Sequence, residues 1–190
     1  LRGGATHIGL VHFERSPRHL SLNDAAKLRQ DIGARAKVAL LLVNASPALV
    51  GEAVAAICPD IIQFHGAETP DWLATVKQET GLEIWKAMGL KSRDDLQQIS
   101  KYQGLVDRML YDAPAQDLPG GTGTRFDWSL LNGHRHTIDW GIAGGPNPAN
   151  VADAMAATGA PLVDVSSGVE SEVGVKDVDK IAAFLKATGR

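Results

Sequence analysis

The chain has 190 residues, of which 44% are hydrophobic and 22% charged, a balance that supports one folded domain over residues 1–190. Nineteen basic and 22 acidic residues give a net charge of -3, and no basic run indicates nucleic acid binding. No apolar run could cross a membrane, and one cysteine excludes an internal disulfide, so we expect a cytoplasmic protein.

A repeat of short apolar strand, polar turn and amphipathic helix runs through the chain and predicts a parallel α/β fold. Most of the strands are continuous apolar runs, which is typical of strands covered on both faces. The predicted strands are His7–His12, Val38–Val43, Asp60–Phe64, Glu83–Ala87, Val106–Tyr111, Thr137–Ile142 and Leu162–Val165. The predicted helices are Leu22–Arg35, Ala48–Ile57, Asp71–Thr80, Arg93–Ser100, Asn147–Thr158 and Asp177–Ala187, with a shorter segment at Phe126–Leu131.

Two turns of small residues follow the last two predicted strands. Gly144 and Gly145 come after the first of these strands, and Ser167 and Gly168 come after the second. Glycine and serine at a strand end leave backbone N–H groups free to approach an anion. Two such turns on successive units match the phosphate site of a (β/α)₈ barrel. A third glycine-rich turn, Gly120–Gly123, is a weaker candidate for approaching the ligand.

Seven predicted strands are one fewer than an eight-stranded barrel requires. Leu1–Gly4 has the character of a helix end that breaks at glycine, and no helix precedes it. A strand plus a helix takes roughly 20 residues. We therefore predict a (β/α)₈ TIM barrel whose first strand–helix unit is missing from this sequence.

Three polar residues follow predicted strands, at the end of the barrel where chemistry is expected. Asp112 could serve as a general acid, or it could cap a local turn. Arg18 could hold a substrate carboxylate, with Arg15 as a rival and a solvated loop arginine as the alternative. His65 could polarise or orient a substrate, or hydrogen-bond to a neighbouring loop.

Other polar residues are expected to have structural roles. Cys58 lies between a helix and the start of the next strand, on the face away from the site, and is expected to be a buried, inert thiol. His134 and His136 lie on the same side as Cys58, and Asp127 is expected to cap a short helix. The six histidines show no metal-ligand spacing, so no metal site is expected.

The order and spacing of these motifs resemble the phosphoribosylanthranilate isomerase family of tryptophan biosynthesis over nearly the whole chain. The motifs are Phe13–Arg18, Gln63–Gly66, Leu110–Asp112, Gly120–Gly123, Phe126–Trp128, Ala143–Gly145, Asn147–Val151, Asp164–Glu170 and Gly174–Asp177.

The resemblance implies a cofactor-free Amadori rearrangement of N-(5-phosphoribosyl)anthranilate to 1-(2-carboxyphenylamino)-1-deoxyribulose 5-phosphate. It implies that Asp112 is the general acid and that Arg18 holds the anthranilate carboxylate. His65 would contribute to substrate binding, and the turns at Gly144-Gly145 and Ser167-Gly168 would hold the phosphate. The expected partner is this small phosphorylated substrate, with no nucleic acid or membrane, in a monomer or homodimer.

Two departures from the family pattern stand out. The family's general base is a cysteine in a Lys-Ile-Cys-Gly-like first strand, which has no counterpart here, so the chain alone is expected to be inactive. Pro146 stands where the family usually has leucine, and it is expected to stiffen the turn and leave phosphate binding intact. If the chain alone were active, His65 or Asp164 would be the next candidates for the base.

Three alternatives stay open from the sequence. Indole-glycerol-phosphate synthase would require a catalytic lysine, for which Lys86 is the one tempting residue. Ribulose-phosphate epimerase would require metal-binding histidines on several strands. A non-catalytic phosphate-binding fragment is the third alternative.

Overall fold

Six parallel strands form one sheet in which the strand order follows the chain order. The computed structural model describes residues 3–114 and 127–189. The strands are β1 (His7–Val11), β2 (Lys37–Leu42), β3 (Ile61–Phe64), β4 (Glu83–Gly89), β5 (Arg108–Asp112) and β6 (Asp139–Ile142). Each strand pairs in parallel with the next along the chain, which confirms the predicted parallel α/β class.

Helices follow most of the strands. The α-helices are α1 (Leu22–Ile32), α2 (Pro47–Ile57), α3 (Pro70–Thr80), α4 (Val151–Thr158) and α5 (Val178–Ala187). Three 3₁₀ helices in the described residues cover Arg93–Tyr102, Trp128–Leu131 and Ser167–Val169, so the helix predicted at Arg93–Ser100 has 3₁₀ geometry. None of the helices in the described residues combines the length and apolar character needed to cross a bilayer. The predicted Gly120–Gly123 turn and Phe126 lie outside the described residues.

Side-chain caps explain where several helices begin. Ser46 and Thr69 each accept a hydrogen bond from the backbone N–H three residues later, and proline occupies the first helical position in both α2 and α3. α4 begins four residues after the predicted Asn147, because Asn147 and Asn150 form a separate turn. The Asn147 N–H donates to Asn150 Oδ1 at 2.7 Å, and the Ala149 N–H donates to Asn147 Oδ1 at 2.9 Å.

The sheet is buried on both faces, which accounts for its continuous apolar strands. One face packs against the helices through a large cluster that includes Leu40, Phe64, Ile84 and Tyr111. The opposite, inner face carries a smaller cluster: Ala39, Ile61, Trp85, Ala87 and Leu110. Because side chains alternate along a strand, the residues two positions beyond this inner layer continue the same face towards the carboxyl ends of the strands. Gln63 and Asp112 occupy such positions.

The seventh predicted strand is not formed as a strand. Leu162–Val165 makes one parallel bridge, between Val163 and Ile142 of β6. The Ile142 N–H donates to the Leu162 carbonyl at 3.0 Å, and the Asp164 N–H donates to the Ile142 carbonyl at 2.8 Å. The segment therefore lies beside β6 in the predicted order and direction, but within the described residues it pairs on that side alone.

A short antiparallel hairpin follows this segment and was not predicted. It consists of β7 (Glu170–Glu172) and β8 (Val175–Lys176), joined by a turn at Gly174, whose φ is +84°. Such short strands give too few residues for an alternation to be visible in the sequence. The hairpin matters for the site because it carries Glu170 and Lys176.

Candidate active site

A pocket opens at the carboxyl ends of the parallel strands. Its lining comes mainly from the ends of β1, β2, β3 and β5, from the segments that follow these strands and β6, and from Leu162–Val165 and the turn after it. All seven residues predicted for the site line this one pocket: Arg18, His65, Asp112, Gly144, Gly145, Ser167 and Gly168. Residues far apart in the sequence thus meet where a parallel sheet places its functional loops.

Asp112 and His65 are in direct contact in the pocket. The His65 Nε2 atom lies 3.0 Å from Asp112 Oδ2, and both side chains are nearly buried, with 10% and 5% of their surface exposed. The other carboxylate oxygen of Asp112 accepts a hydrogen bond from the Ala113 N–H at 2.7 Å. Asp112 therefore stabilises a local turn, as one alternative predicted, and also presents its second oxygen to a histidine.

Gly144 makes room for the Asp112 carboxylate. A Cβ atom at Gly144 would lie 2.2 Å from Asp112 Oδ1 and 2.3 Å from the Ala113 nitrogen, distances that real side chains do not reach. The φ of Gly144 is also +60°, which disfavours other residues. This glycine lets the turn after β6 approach the end of β5 closely.

Asp164 also lines this pocket, although the sequence indicated it only as a secondary candidate for the base. Desolvation by the surrounding protein disfavours the charged form of Asp164, and the nearby Asp112 carboxylate repels a second negative charge. Both effects raise the pKa of Asp164. Asp164 nonetheless remains exposed to solvent, which limits the desolvation. A second carboxyl group thus lies close enough to Asp112 to influence it electrostatically.

Arg18 lines the pocket, whereas its rival Arg15 is exposed and lies outside the pocket lining. The Arg18 guanidinium makes a two-pronged contact with Glu170, from Nε to Oε1 and from Nη2 to Oε2, both at 2.7 Å. Only 13% of the Arg18 side chain is exposed. The position therefore favours Arg18 over Arg15 as the residue that faces a ligand.

The two predicted anion-binding turns lie against each other. A Cβ atom at Gly168 would come within 2.2 Å of the Pro146 carbonyl oxygen, so glycine is required for this approach. The Asn150 side chain donates to the Gly145 carbonyl at 3.1 Å and holds the first turn. Among the hydrogen bonds that the described residues make with one another, none uses the N–H of Gly145, Ser167 or Gly168. These N–H groups are available to an anion.

Lys86 is buried and does not line the pocket. Its Nζ contacts Glu68 Oε2 at 3.1 Å and donates to the carbonyls of Gly66 at 2.7 Å and Ala87 at 3.0 Å. Burial lowers the pKa of Lys86, and the Glu68 charge opposes that effect. Glu68 also accepts from the N–H groups of Asn44 and Gly66. This ion pair braces the loop that carries His65 and is not exposed for catalysis.

We expect Lys86→Met to lower the free energy of unfolding by about 3–5 kcal/mol, because it leaves the Glu68 carboxylate buried without its cation. The ion pair has 4% and 1% of its two side chains exposed. Urea unfolding of the wild-type protein and the variant measures the loss. Lys37→Met is the control, since the Lys37–Glu83 pair is far more exposed, with 55% and 26% of its two side chains accessible, and should contribute about 1 kcal/mol or less. Equal losses in the two variants would contradict the bracing role.

Residues discounted from the sequence lie away from this pocket. The expectation of a buried Cys58 is wrong, because Cys58 ends α2 in a left-handed conformation with φ +50° and is exposed. His136 stacks on Trp140 at 3.8 Å between ring centroids, and burial together with nearby His134 lowers the pKa of His136 to about 4. Asp127 caps the 3₁₀ helix through the Ser129 N–H, as predicted. Within residues 3–114 and 127–189, no cluster of side chains is arranged to hold a metal.

The fold and the pocket define a parallel α/β protein whose polar groups gather at the carboxyl ends of its strands, as in TIM-barrel enzymes. A family model described as N-(5'-phosphoribosyl)anthranilate (PRA) isomerase matches residues 1–187. The chain belongs to the N-(5'-phosphoribosyl)anthranilate isomerase family, enzymes of tryptophan biosynthesis, which confirms the predicted resemblance.

Individual relatives agree with this family. The chain is 50% identical over 187 residues to an N-(5'-phosphoribosyl)anthranilate isomerase from Erythrobacter litoralis, covering 98% of this chain and 90% of the relative. The crystal structure of phosphoribosyl anthranilate isomerase from Thermotoga maritima is similar with a TM-score of 0.89 and 29% identity, covering 100% and 91% of the two chains. A second crystal structure of such an isomerase, in complex with reduced 1-(o-carboxyphenylamino)-1-deoxyribulose 5-phosphate, has a TM-score of 0.86 and 28% identity, covering 100% and 90%.

Proposed function

We propose that this enzyme converts N-(5-phosphoribosyl)anthranilate to 1-(2-carboxyphenylamino)-1-deoxyribulose 5-phosphate, with Asp112 as the general acid. The observation that carries the proposal is the convergence of a carboxyl group, an arginine and two anion-ready turns in one pocket. The substrate carries a ring oxygen to be protonated, a carboxylate and a phosphate, so each of these groups has a chemically matched partner. The reaction requires no cofactor.

The chemistry begins with proton transfer from Asp112 to the furanose ring oxygen. The ring C–O bond then breaks and leaves a Schiff base between the sugar C1 and the anthranilate nitrogen. A base removes the proton from C2, and the electron pair moves to give an enolamine, which tautomerises to the ketone product. His65, in contact with Asp112, orients this carboxyl group and contributes to substrate binding.

The phosphate would bind between the turns at Gly144-Gly145 and Ser167-Gly168. The close approach of Gly168 to the Pro146 carbonyl supports this proposal, because it brings the two turns together and an anion with several oxygens could then accept from the backbone N–H groups of both. Pro146 has no N–H to donate, but its fixed φ stiffens the turn and supports this arrangement. The anthranilate carboxylate would bind at Arg18 through the edge of the guanidinium that does not face Glu170, the contact with Glu170 being made through Nε and Nη2.

We expect Arg18→Ala to raise KM for the substrate by about 10- to 150-fold, because a charged, two-pronged contact contributes about 1.5–3 kcal/mol. Steady-state kinetics of the intact enzyme measure this change. Arg15→Ala is the matched control, since Arg15 is exposed on the same loop. A larger effect from Arg15→Ala than from Arg18→Ala would transfer the role to Arg15.

An apolar groove supports a completed eight-stranded barrel within a single domain. The groove has a volume of about 570 Å³ and lies between β1, the Leu162–Val165 segment and α5. Ile8, Leu10, Val163 and Phe184 are among the residues that line it. We propose that a further strand–helix unit, outside this sequence, fills the groove, pairs with β1 and Leu162–Val165, and carries the cysteine that acts as the base.

We propose a cytoplasmic setting for the enzyme. A single cysteine and the absence of a basic run support a cytoplasmic enzyme that binds a small phosphorylated substrate and neither nucleic acid nor membrane. We propose a monomer or a homodimer.

The reaction itself is tested by following the conversion of N-(5-phosphoribosyl)anthranilate by the intact enzyme. Rapid formation of the ketose product supports the proposal. Failure of the folded, intact enzyme to convert this substrate would contradict it.

A further inference from the structure

Glu170 lies just behind the pocket, at the start of the hairpin strand β7, and gathers four donors around one carboxylate. Arg18 contributes Nε and Nη2, each at 2.7 Å. Lys176 Nζ donates at 2.8 Å and the Gly174 N–H at 3.2 Å. Only 4% of the Glu170 side chain is exposed. Glu170 therefore holds two cations that would otherwise repel each other.

The two cations, Arg18 and Lys176, contact different regions around the pocket. Arg18 lines it on the side proposed for the anthranilate carboxylate. Lys176 donates to the carbonyl oxygen of Ser166 at 2.9 Å and to the hydroxyl oxygen of Ser166 at 3.1 Å. Ser166 begins the turn that continues into Ser167 and Gly168, where the phosphate is proposed to bind. Glu170 thus connects the two binding regions through one side chain on each side.

The geometry restricts Arg18 strongly. A guanidinium bound through two of its nitrogen atoms to both oxygens of a carboxylate has a fixed plane and a fixed position, unlike a single-point contact. The hairpin itself is held in place, because Lys180 Nζ donates to the Glu170 carbonyl at 2.6 Å. The cations and the Gly174 N–H hold the pKa of Glu170 at about 2, despite burial, so the carboxylate keeps its charge at neutral pH.

We propose that Glu170 is a positioning residue that fixes Arg18 and, through Lys176, the Ser166–Gly168 turn. Glu170 would thereby fix the distance between the region that binds the carboxylate and the region that binds the phosphate. Glu170 does not line the pocket and acts only through these two neighbours. This inference rests on the proposed substrate, whose carboxylate and phosphate lie at opposite ends.

The test compares Glu170→Gln with Glu172→Gln in the intact enzyme. Glu172 lies on the same strand but is exposed, so its substitution controls for changing a hairpin charge. We expect Glu170→Gln to raise KM by about tenfold or more while kcat changes by less than about threefold, since charge-assisted contacts contribute mainly to binding. Glu172→Gln should leave both constants within about twofold. A fall in kcat with unchanged KM would overturn the positioning role.

A double-mutant comparison separates positioning from general destabilisation. If Glu170 acts through Arg18, its effect on anthranilate binding should fall below about twofold once Arg18 is alanine. The same effect in both backgrounds would show that Glu170 acts by another route and would overturn the inference. Thermal unfolding of all variants is measured alongside, because a role in stability alone would lower the melting temperature without changing KM.

Binding of anthranilate and of inorganic phosphate tests the connection without requiring turnover. Calorimetry with the wild type establishes both affinities, and Glu170→Gln should weaken both. Weakening of anthranilate alone would contradict the link to the phosphate turn, and an unchanged pair of affinities would contradict the whole inference. If Glu170→Gln does not fold, Lys176→Met provides the test, because it should weaken phosphate and leave anthranilate unchanged. If the intact wild type binds both ligands but does not convert the substrate, the proposed function is contradicted. The comparison of ligand affinities between wild type and Glu170→Gln would still test the positioning role of Glu170.

Discussion

We expect Asp112→Asn to lower kcat by about 10²–10⁴-fold while the substrate still binds, the range by which general acids contribute. The amide preserves the shape of the side chain, and its oxygen can still accept the hydrogen bond from the Ala113 N–H. What it loses is the proton that Asp112 is proposed to give to the ring oxygen when the ring opens. Ring opening therefore slows, whereas the contacts to the carboxylate and phosphate remain. Steady-state and single-turnover kinetics of the intact enzyme measure the two effects separately.

The control for this substitution is Asp139→Asn. Asp139 begins β6, at the opposite end of the strands, and 78% of its side chain is exposed. Its substitution should leave kcat within about twofold, as surface changes away from a site usually do. A loss of less than about tenfold for Asp112→Asn would indicate that Asp112 has only the turn-stabilising role.

The second large effect concerns the unit proposed to fill the groove. Residues 1–190 produced alone should show a kcat/KM at least about 10²-fold below that of the intact enzyme, because the proposed base is absent. They should also be less stable and prone to association. Within the described residues, the outer edge of β1 has only the Val11–His19 bridge and the Leu162–Val165 segment pairs on one side, beside an apolar groove of about 570 Å³. Activity assays, urea unfolding and light scattering of the two proteins measure these differences.

Adding the strand–helix unit with its cysteine should restore both activity and stability. Adding the same unit with the cysteine changed to alanine should restore stability alone, which separates the structural role from the chemical one. Full activity of residues 1–190 without the unit would show that the base lies within this chain, and His65 and Asp164 would then be the residues to test.

The strands were predictable because each is a nearly continuous apolar run. Val38–Val43 and Glu83–Ala87 were placed within two residues of their observed ends, since burial on both faces of a parallel sheet leaves little room for polar residues. Leu162–Val165 has the same apolar character but forms only one bridge, because pairing depends on a neighbour that the local sequence does not specify. Local patterns predict the character of a strand, and the surrounding sheet decides its extent.

The site was predictable to the extent that it follows from strand ends. Asp112 and His65 each follow a predicted apolar strand, and the expectation that functional residues lie at strand ends therefore selected both. The two side chains are in contact in the pocket. The Arg18–Glu170 pair spans 152 positions and involves a hairpin too short to be recognised, so no local pattern indicated it. The wrong expectation for Cys58 has a local cause, because the left-handed conformation at the end of α2 turns this residue outwards.

The most direct test of the central claim is a crystal structure of the intact enzyme with reduced 1-(2-carboxyphenylamino)-1-deoxyribulose 5-phosphate. We expect the phosphate between the turns at Gly144-Gly145 and Ser167-Gly168, and the ring carboxylate on Arg18. The Asp112 carboxyl should then lie within hydrogen-bond distance of the sugar oxygen that leaves when the furanose ring opens. A ligand bound in the reverse orientation, or outside this pocket, would contradict the assignment of the acid and of both binding regions.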